Sequence, residues 1–152
     1  MVGDPSEDVQ ARRRGAAGHR AVPHTADVRI EAWGPSREQC LVEAARGMVG
    51  WFADVSGARP AAVHRLHLAD TGDADTLAAL LDEVVYRLEV YGEVPVEVEA
   101  RPAAGGGLDV RLGVTGLDAV PRTGSAPKGV SWNELRLAPG PYGWSCAATI
   151  DV

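Results

Sequence analysis

The sequence predicts an α+β domain. Two helices pack on one face of a largely antiparallel sheet of about six strands, in the order β-α-β-α-β-β-β-β. Three observations carry this. Only two segments, within residues 36–52 and 73–91, repeat apolar residues at helical spacing. Six others alternate apolar and polar residues with the period of a half-buried strand. After the second helix the pattern is all strand, so two helices covering one face of a largely antiparallel sheet is the economical architecture.

The chain has 152 residues, enough for one domain with a real core. Residues 1–19, MVGDPSEDVQARRRGAAGH, hold few large apolar side chains and no period. They read as a disordered lead-in, leaving a single domain over residues 20–152. The first strand is VRIEAW, with Val28, Ile30 and Ala32 on one face and Arg29, Glu31 and Trp33 on the other. Gly34 and Pro35 end it. Ser36 is placed to cap the first helix, with Gln39 three residues on as in a capping box. Leu41, Ala44, Ala45, Met48, Val49 and Phe52 form the apolar stripe of that helix.

AVHRLHLA is the second strand. His64 and His67 stand three apart on it, so they point to opposite faces and cannot share one metal ion. The second helix starts at Asp73, its expected cap. Leu77, Leu80, Leu81, Val84, Tyr86 and Leu88 supply its apolar surface, Asp82 and Glu83 its wet face, and Gly92 its stop. VPVEVEA and GLDVRLGV are strands joined by a loop holding Gly105, Gly106 and Gly107. Those glycines do not open a helix and form no phosphate cradle. In GVSWNELRL the apolar parity switches between Trp132 and Leu135, which a β-bulge near Asn133–Glu134 explains. GWSCAATIDV is the last strand, with Trp144, Cys146, Ala148 and Ile150 facing the core. There is no internal repeat.

A net charge of −6 disfavours a general nucleic-acid binder, which needs a basic face, and suits a protein partner or a cation. No apolar run approaches the ~20 residues that span a bilayer. The N-terminus lacks the apolar core of a signal peptide. Cys40 and Cys146 have no metal-site spacing and read as two buried thiols in a reducing cytoplasm.

Two carboxylates lie off the core parity. Asp27 precedes Val28 at the start of the first strand; Asp151 follows Ile150 at the end of the last. If those strands pair antiparallel, both carboxylates meet at one end of the sheet, where like charges call for compensation. A divalent cation bound by oxygens would provide it, with Val152 adding a main-chain or terminal oxygen. That would also give the chain a reason to stop there. The plainer alternative has Asp27 capping a turn and Asp151 as a polar residue near a terminus. His24 reads as a ligand, a base or a hydrogen-bond partner.

HTADVRIEAWGPSREQCLVEAARGM at residues 24–48, KGVSWNELRL at 128–137 and the closing TIDV together resemble the archease family, in order, over residues 22–152. The resemblance implies a small α+β protein that is not itself an enzyme. It would be a cytoplasmic cofactor of the RtcB-type RNA ligase in tRNA splicing or RNA repair. It would speed guanylylation of the ligase, permit repeated turnover and meet RNA only through the ligase, with no membrane role. It further implies a divalent-metal site, with calcium ahead of manganese or magnesium, on Asp27, Asp151 and the main chain of Val152. Lys128 matches the family's functional lysine, with His24 a second partner or phosphate contact. Where many members carry a histidine after the lysine segment, this chain has Asn133, so that residue's role does not transfer. Two other classes stay open: a stand-alone metal-dependent hydrolase using His24 or Thr25, and a partner-binding module without metal.

Overall fold

The computed structural model describes Arg12 and residues 15–152. The lead-in expected at residues 1–19 therefore falls mostly outside the described residues. Its last two residues, Gly18 and His19, begin a strand that the alternation did not reveal, β1 (Gly18–Pro23). It is short, ends in proline and holds one large aliphatic residue, so no pattern announces it. β1 forms a hairpin with β2 (Asp27–Gly34). Cross-strand contacts hold it there. Gly18 lies so close to Trp33 that an added Cβ would sit 2.8 Å from the indole. The Arg20 guanidinium lies 5.8 Å from the Trp33 ring centroid and 2.7 Å from the Glu31 carboxylate, a cation–π contact beside an ion pair.

The remaining elements follow the expected order: α1 (Arg37–Phe52), β3 (Ala62–Leu68), α2 (Asp73–Tyr91), β4 (Glu93–Pro102), β5 (Leu108–Gly116), β6 (Gly129–Gly140) and β7 (Gly143–Asp151). A single turn of 3-10 helix at Leu117–Ala119 leads out of β5. The strands form two antiparallel sheets, ordered β1-β2-β7-β6 and β3-β5-β4. The edges are β1 and β6 in the first sheet and β3 and β4 in the second. β4 carries Pro95 and Pro102 and shifts register between Pro95 and Glu97, as edge strands do. β6 is interrupted by an insertion described below. Each helix touches both sheets, α1 against β1, β2, β7 and β4, and α2 against β6, β4 and β3. One continuous core results, with Ile30, Leu41, Met48, Phe52, Leu80, Leu112 and Ile150 essentially inaccessible.

Local chemistry sets the helix ends. Ser36 Oγ accepts the Gln39 amide at 3.1 Å, the expected N-cap, but it donates to Gln39 Oε1 at 3.0 Å, so the glutamine meets the serine hydroxyl and not its backbone N–H as a full capping box would. Gly92 closes α2 in the left-handed region at φ 63°, as its position suggests. Asp73 is not the cap of α2. Gly72, at φ 122°, holds that position without a side-chain bond, and the Asp73 carboxylate reaches α1 instead, 2.8 Å from Arg37 Nε. Tyr86 is not core. It is 45% exposed and meets Tyr91 edge-on. His64 and His67 face opposite ways, toward Glu93 and Asp109 respectively.

The bulge falls where the parity breaks, and it is larger than one residue. The β6–β7 register passes from Ser131–Thr149 to Arg136–Ala147. Trp132, Asn133, Glu134 and Leu135 thus stand opposite Ala148 alone. Glu134 takes a left-handed backbone at φ 58°.

Candidate functional site

The HTAD segment is the turn of the first hairpin. Pro23 pairs with Val28, and the His24 amide donates to the Asp27 carbonyl at 2.9 Å. Thr25 and Ala26 are thus the two-residue loop, and Asp27 opens β2. The β2–β7 ladder sets Asp27 directly opposite Asp151. One step on, the Val152 amide donates to the Ala26 carbonyl at 3.4 Å. Because hydrogen-bonded and non-hydrogen-bonded rungs alternate, Asp27–Asp151 is of the second kind, in which facing side chains come closer.

On the other side of β7, Asp151 faces Gly129 of β6. Glycine offers no side chain there, and the space a Cβ would take is open. The preceding residue, Lys128, donates its amide to the Asp151 carbonyl at 2.7 Å. Its side chain is exposed. The next rung inward on the same face is Arg29–Thr149–Ser131. Arg29 is engaged by Glu31 at 3.6 Å and Glu134 at 3.3 Å, and it is not an ion-pair partner of the acidic rung. Asp27, Asp151, Val152, Lys128 and the His24 backbone therefore share one end of the four-stranded sheet. The His24 side chain is exposed and forms no ion pair among the described residues.

The donor chemistry bears on the implied metal. Among the described residues no three His, Cys, Asp or Glu side chains form a cluster. Two carboxylates on facing rungs plus main-chain oxygen make an all-oxygen set for a hard cation such as calcium, magnesium or manganese. Water or a partner would complete the coordination shell. The set is unlike the nitrogen and sulfur ligands that zinc favours.

The Archease protein family (MTH1598/TM1083) matches residues 19–152. The chain belongs to the archease family. In Mycobacterium tuberculosis the "Probable protein archease" is 44% identical over 145 residues, spanning 95% of this chain and 80% of the relative. The solution structure of Methanobacterium thermoautotrophicum protein 1598 superposes with a TM-score of 0.69 at 19% identity, covering 89% of this chain and 99% of that one. The Thermotoga maritima archease, described as a possible chaperone, gives 0.62 at 16% identity over 86% and 94%. These two likenesses show that the archease fold is shared.

Other features of this archease lie away from the carboxylate end. A cavity of about 720 Å³ opens on the outer face of β3-β5-β4, among Arg65, Glu97, Glu99, Arg101, Asp109 and Arg111. Its charges alternate in sign, as on a solvated sheet face. Glu43, nearly buried on α1, takes His19 at 2.9 Å and Arg46 at 3.3 Å. The hydrogen bond from His19 holds its carboxyl below the usual range. Cys40 and Cys146 are buried and free. Ala32 brings them together, since Cys146 is its register partner and Cys40 Sγ donates to its carbonyl at 3.6 Å. Hydrogen bonding with Cys146, and then burial, push the Cys40 thiol up, which makes it unreactive. No helix among the described residues is long and apolar enough to cross a membrane.

Sequence reasoning missed Trp132. It read as one more strand residue, yet it is 64% exposed. The signal was present in the broken parity of GVSWNELRL, which places the side chains around the break outside the regular pleat.

Proposed function

We propose that this archease is a cytoplasmic protein cofactor of an RtcB-type RNA ligase, promoting guanylylation and repeated turnover of the ligase in tRNA splicing or RNA repair. Family membership supports the general reading. One observation carries it to particular residues: Asp27 stands opposite Asp151 on a close rung, and the Lys128 amide is bonded to the same Asp151. Three residues far apart in sequence thereby become one small, accessible end of a sheet.

Asp27, Asp151 and a main-chain oxygen of Val152 would hold a divalent cation. When bound, such an ion supplies positive charge for nucleotide phosphates in the ligase site. The two carboxylates fix the position of that charge, because both project from a paired rung and not from a loop. Lys128 contributes an ammonium on a flexible stem, suited to steadying a phosphate or an acidic ligase group as a point charge. Gly129 leaves the approach beside Asp151 clear.

The test is single-turnover guanylylation of the purified ligase with the parent chain, Asp27→Ala and Asp151→Ala, each with and without calcium or manganese. The parent should accelerate the reaction, and both variants should lose most of the acceleration while melting as folded proteins. Equal stimulation by all three chains would refute the assignment. Hydrolysis of nucleotide by the parent without ligase would replace it with an enzyme.

A further inference from the structure

The insertion in β6 turns Leu135 onto the core and holds the residue before it in a costly conformation. Glu134 occupies the left-handed region, which disfavours residues other than glycine. That conformation is pinned from outside the strand by Arg29, 3.3 Å from the Glu134 carboxylate. The Ser131 hydroxyl accepts the Asn133 amide at 3.1 Å and fixes the other end. Between these two tethers stands Trp132, 64% exposed. The other three tryptophans are buried or half-buried.

Bulges on edge strands often serve only to prevent edge-to-edge pairing, and a plain edge guard uses charge. An exposed indole invites the association that such a guard prevents. Its place matters too. Ser131, the residue before it, pairs with Thr149, and Gly129 pairs with Asp151. Trp132 thus follows by three residues the glycine that faces Asp151, on the strand that Lys128 leads into.

We infer that Trp132 is the apolar anchor by which this archease docks on its ligase, seated in an apolar cleft with a basic rim beside the ligase active site. This rests on the ligase reading above and names the contact that reading lacks. Charge selects a protein occupant over a nucleic acid. The chain as a whole carries a net charge of −6, which repels a phosphate backbone and complements basic side chains. Tryptophan is also among the residues that most often carry the binding energy of protein interfaces.

The experiment measures binding of the full chain to the purified RtcB-type ligase of the same organism. It compares the parent with Trp132→Ala, Trp132→Phe and Asp151→Asn, alongside calcium titration, thermal melts and acrylamide quenching of tryptophan fluorescence. Trp132→Ala should weaken ligase binding about tenfold or more, the span of a modest hot spot. Its calcium midpoint and melting temperature should match the parent, and Trp132→Phe should recover part of the loss. Ligase should also shield the most quenchable emission of the parent. If Trp132→Ala binds ligase like the parent while Asp151→Asn abolishes stimulation, the anchor is refuted and the ligase reading stands. If the parent does not bind ligase, both fall. If Trp132→Ala loses affinity for single-stranded RNA and not for ligase, the indole is a base-stacking residue and the protein cleft is refuted.

Discussion

Replacing Asp151 by asparagine should change stability with opposite sign in the absence and presence of metal. Asp27 and Asp151 face each other on a non-hydrogen-bonded rung, where like charges destabilise a strand pair by roughly 0.2–1 kcal/mol. Asp151 is exposed and Asp27 half-buried, so salt screens part of the repulsion and the effect should shrink as ionic strength rises. The asparagine side chain would keep the shape and remove one charge. For a chain of this length about 1 kcal/mol moves Tm by about 2–4 °C. Asp151→Asn should therefore melt up to that much higher than the parent in chelator. Calcium at about a hundred times its Kd adds about 2.7 kcal/mol to the parent through linkage, and the variant, short one carboxylate, should gain little of it. The two melting curves should thus exchange order between chelator and saturating calcium, read by calorimetry at fixed ionic strength. Equal melting in chelator together with equal shifts in calcium would refute the reasoning, because the rung would then be neither strained nor a ligand pair.

Other outcomes are expected elsewhere. Lys128→Ala should unfold within about ±0.5 kcal/mol of the parent, as exposed substitutions usually do, while its stimulation of ligase guanylylation falls roughly tenfold, the worth of one charged contact. Leu80→Ala, at a fully buried position, should cost about 2–5 kcal/mol in denaturant melts and leave the stimulation per folded molecule unchanged. Because the folded carboxyl of Glu43 is depressed, its ionised form contributes stability above its ordinary value of 4.5, and that contribution is lost as pH falls below it. Glu43→Gln should accordingly melt below the parent by about 1 kcal/mol at neutral pH and converge with it under acid conditions. Gly143→Ala should cost at least the roughly 1–3 kcal/mol of a strained backbone, since Gly143 has φ 113° and a Cβ there would lie 2.5 Å from the Gly34 carbonyl oxygen. Chemical denaturation would show it.

Periodicity made most of the fold legible. In β2 and β7 the expected core positions Val28, Ile30, Cys146, Ala148 and Ile150 are all buried, though Trp33 and Ala147 on the other parity are buried as well and Trp144 is only half-buried. Both helices end where Ser36 and Gly92 suggest. The misses have local causes. β1 is held by a glycine under an indole and an arginine over it, which are tertiary contacts with no sequence period. Asp73 has the right chemistry for a cap, but an arginine from another helix claims it. The division into two sheets is a matter of which strands become neighbours, and parity within a strand does not report it. At the carboxylate end, parity placed Asp27 and Asp151 on one face. The facing register, the bond from Lys128 and the exposure of Trp132 depend on which strands become neighbours, and alternation within a strand says nothing of that.

The strand order has a consequence for how the chain acquires its shape. β7 lies between β2 and β6 in the centre of its sheet, yet its partner β2 begins at Asp27 and pairs with residues up to Asp151. During synthesis the β1–β2 hairpin must wait, one edge unsatisfied, until nearly all of the described chain has left the ribosome. Closing so long a loop is slow, and a waiting hairpin with an open edge is prone to pair with the wrong strand. The sheet end that gathers the carboxylates is thus among the last parts to form, and a nascent chain released short of Thr149 would carry neither rung nor tip.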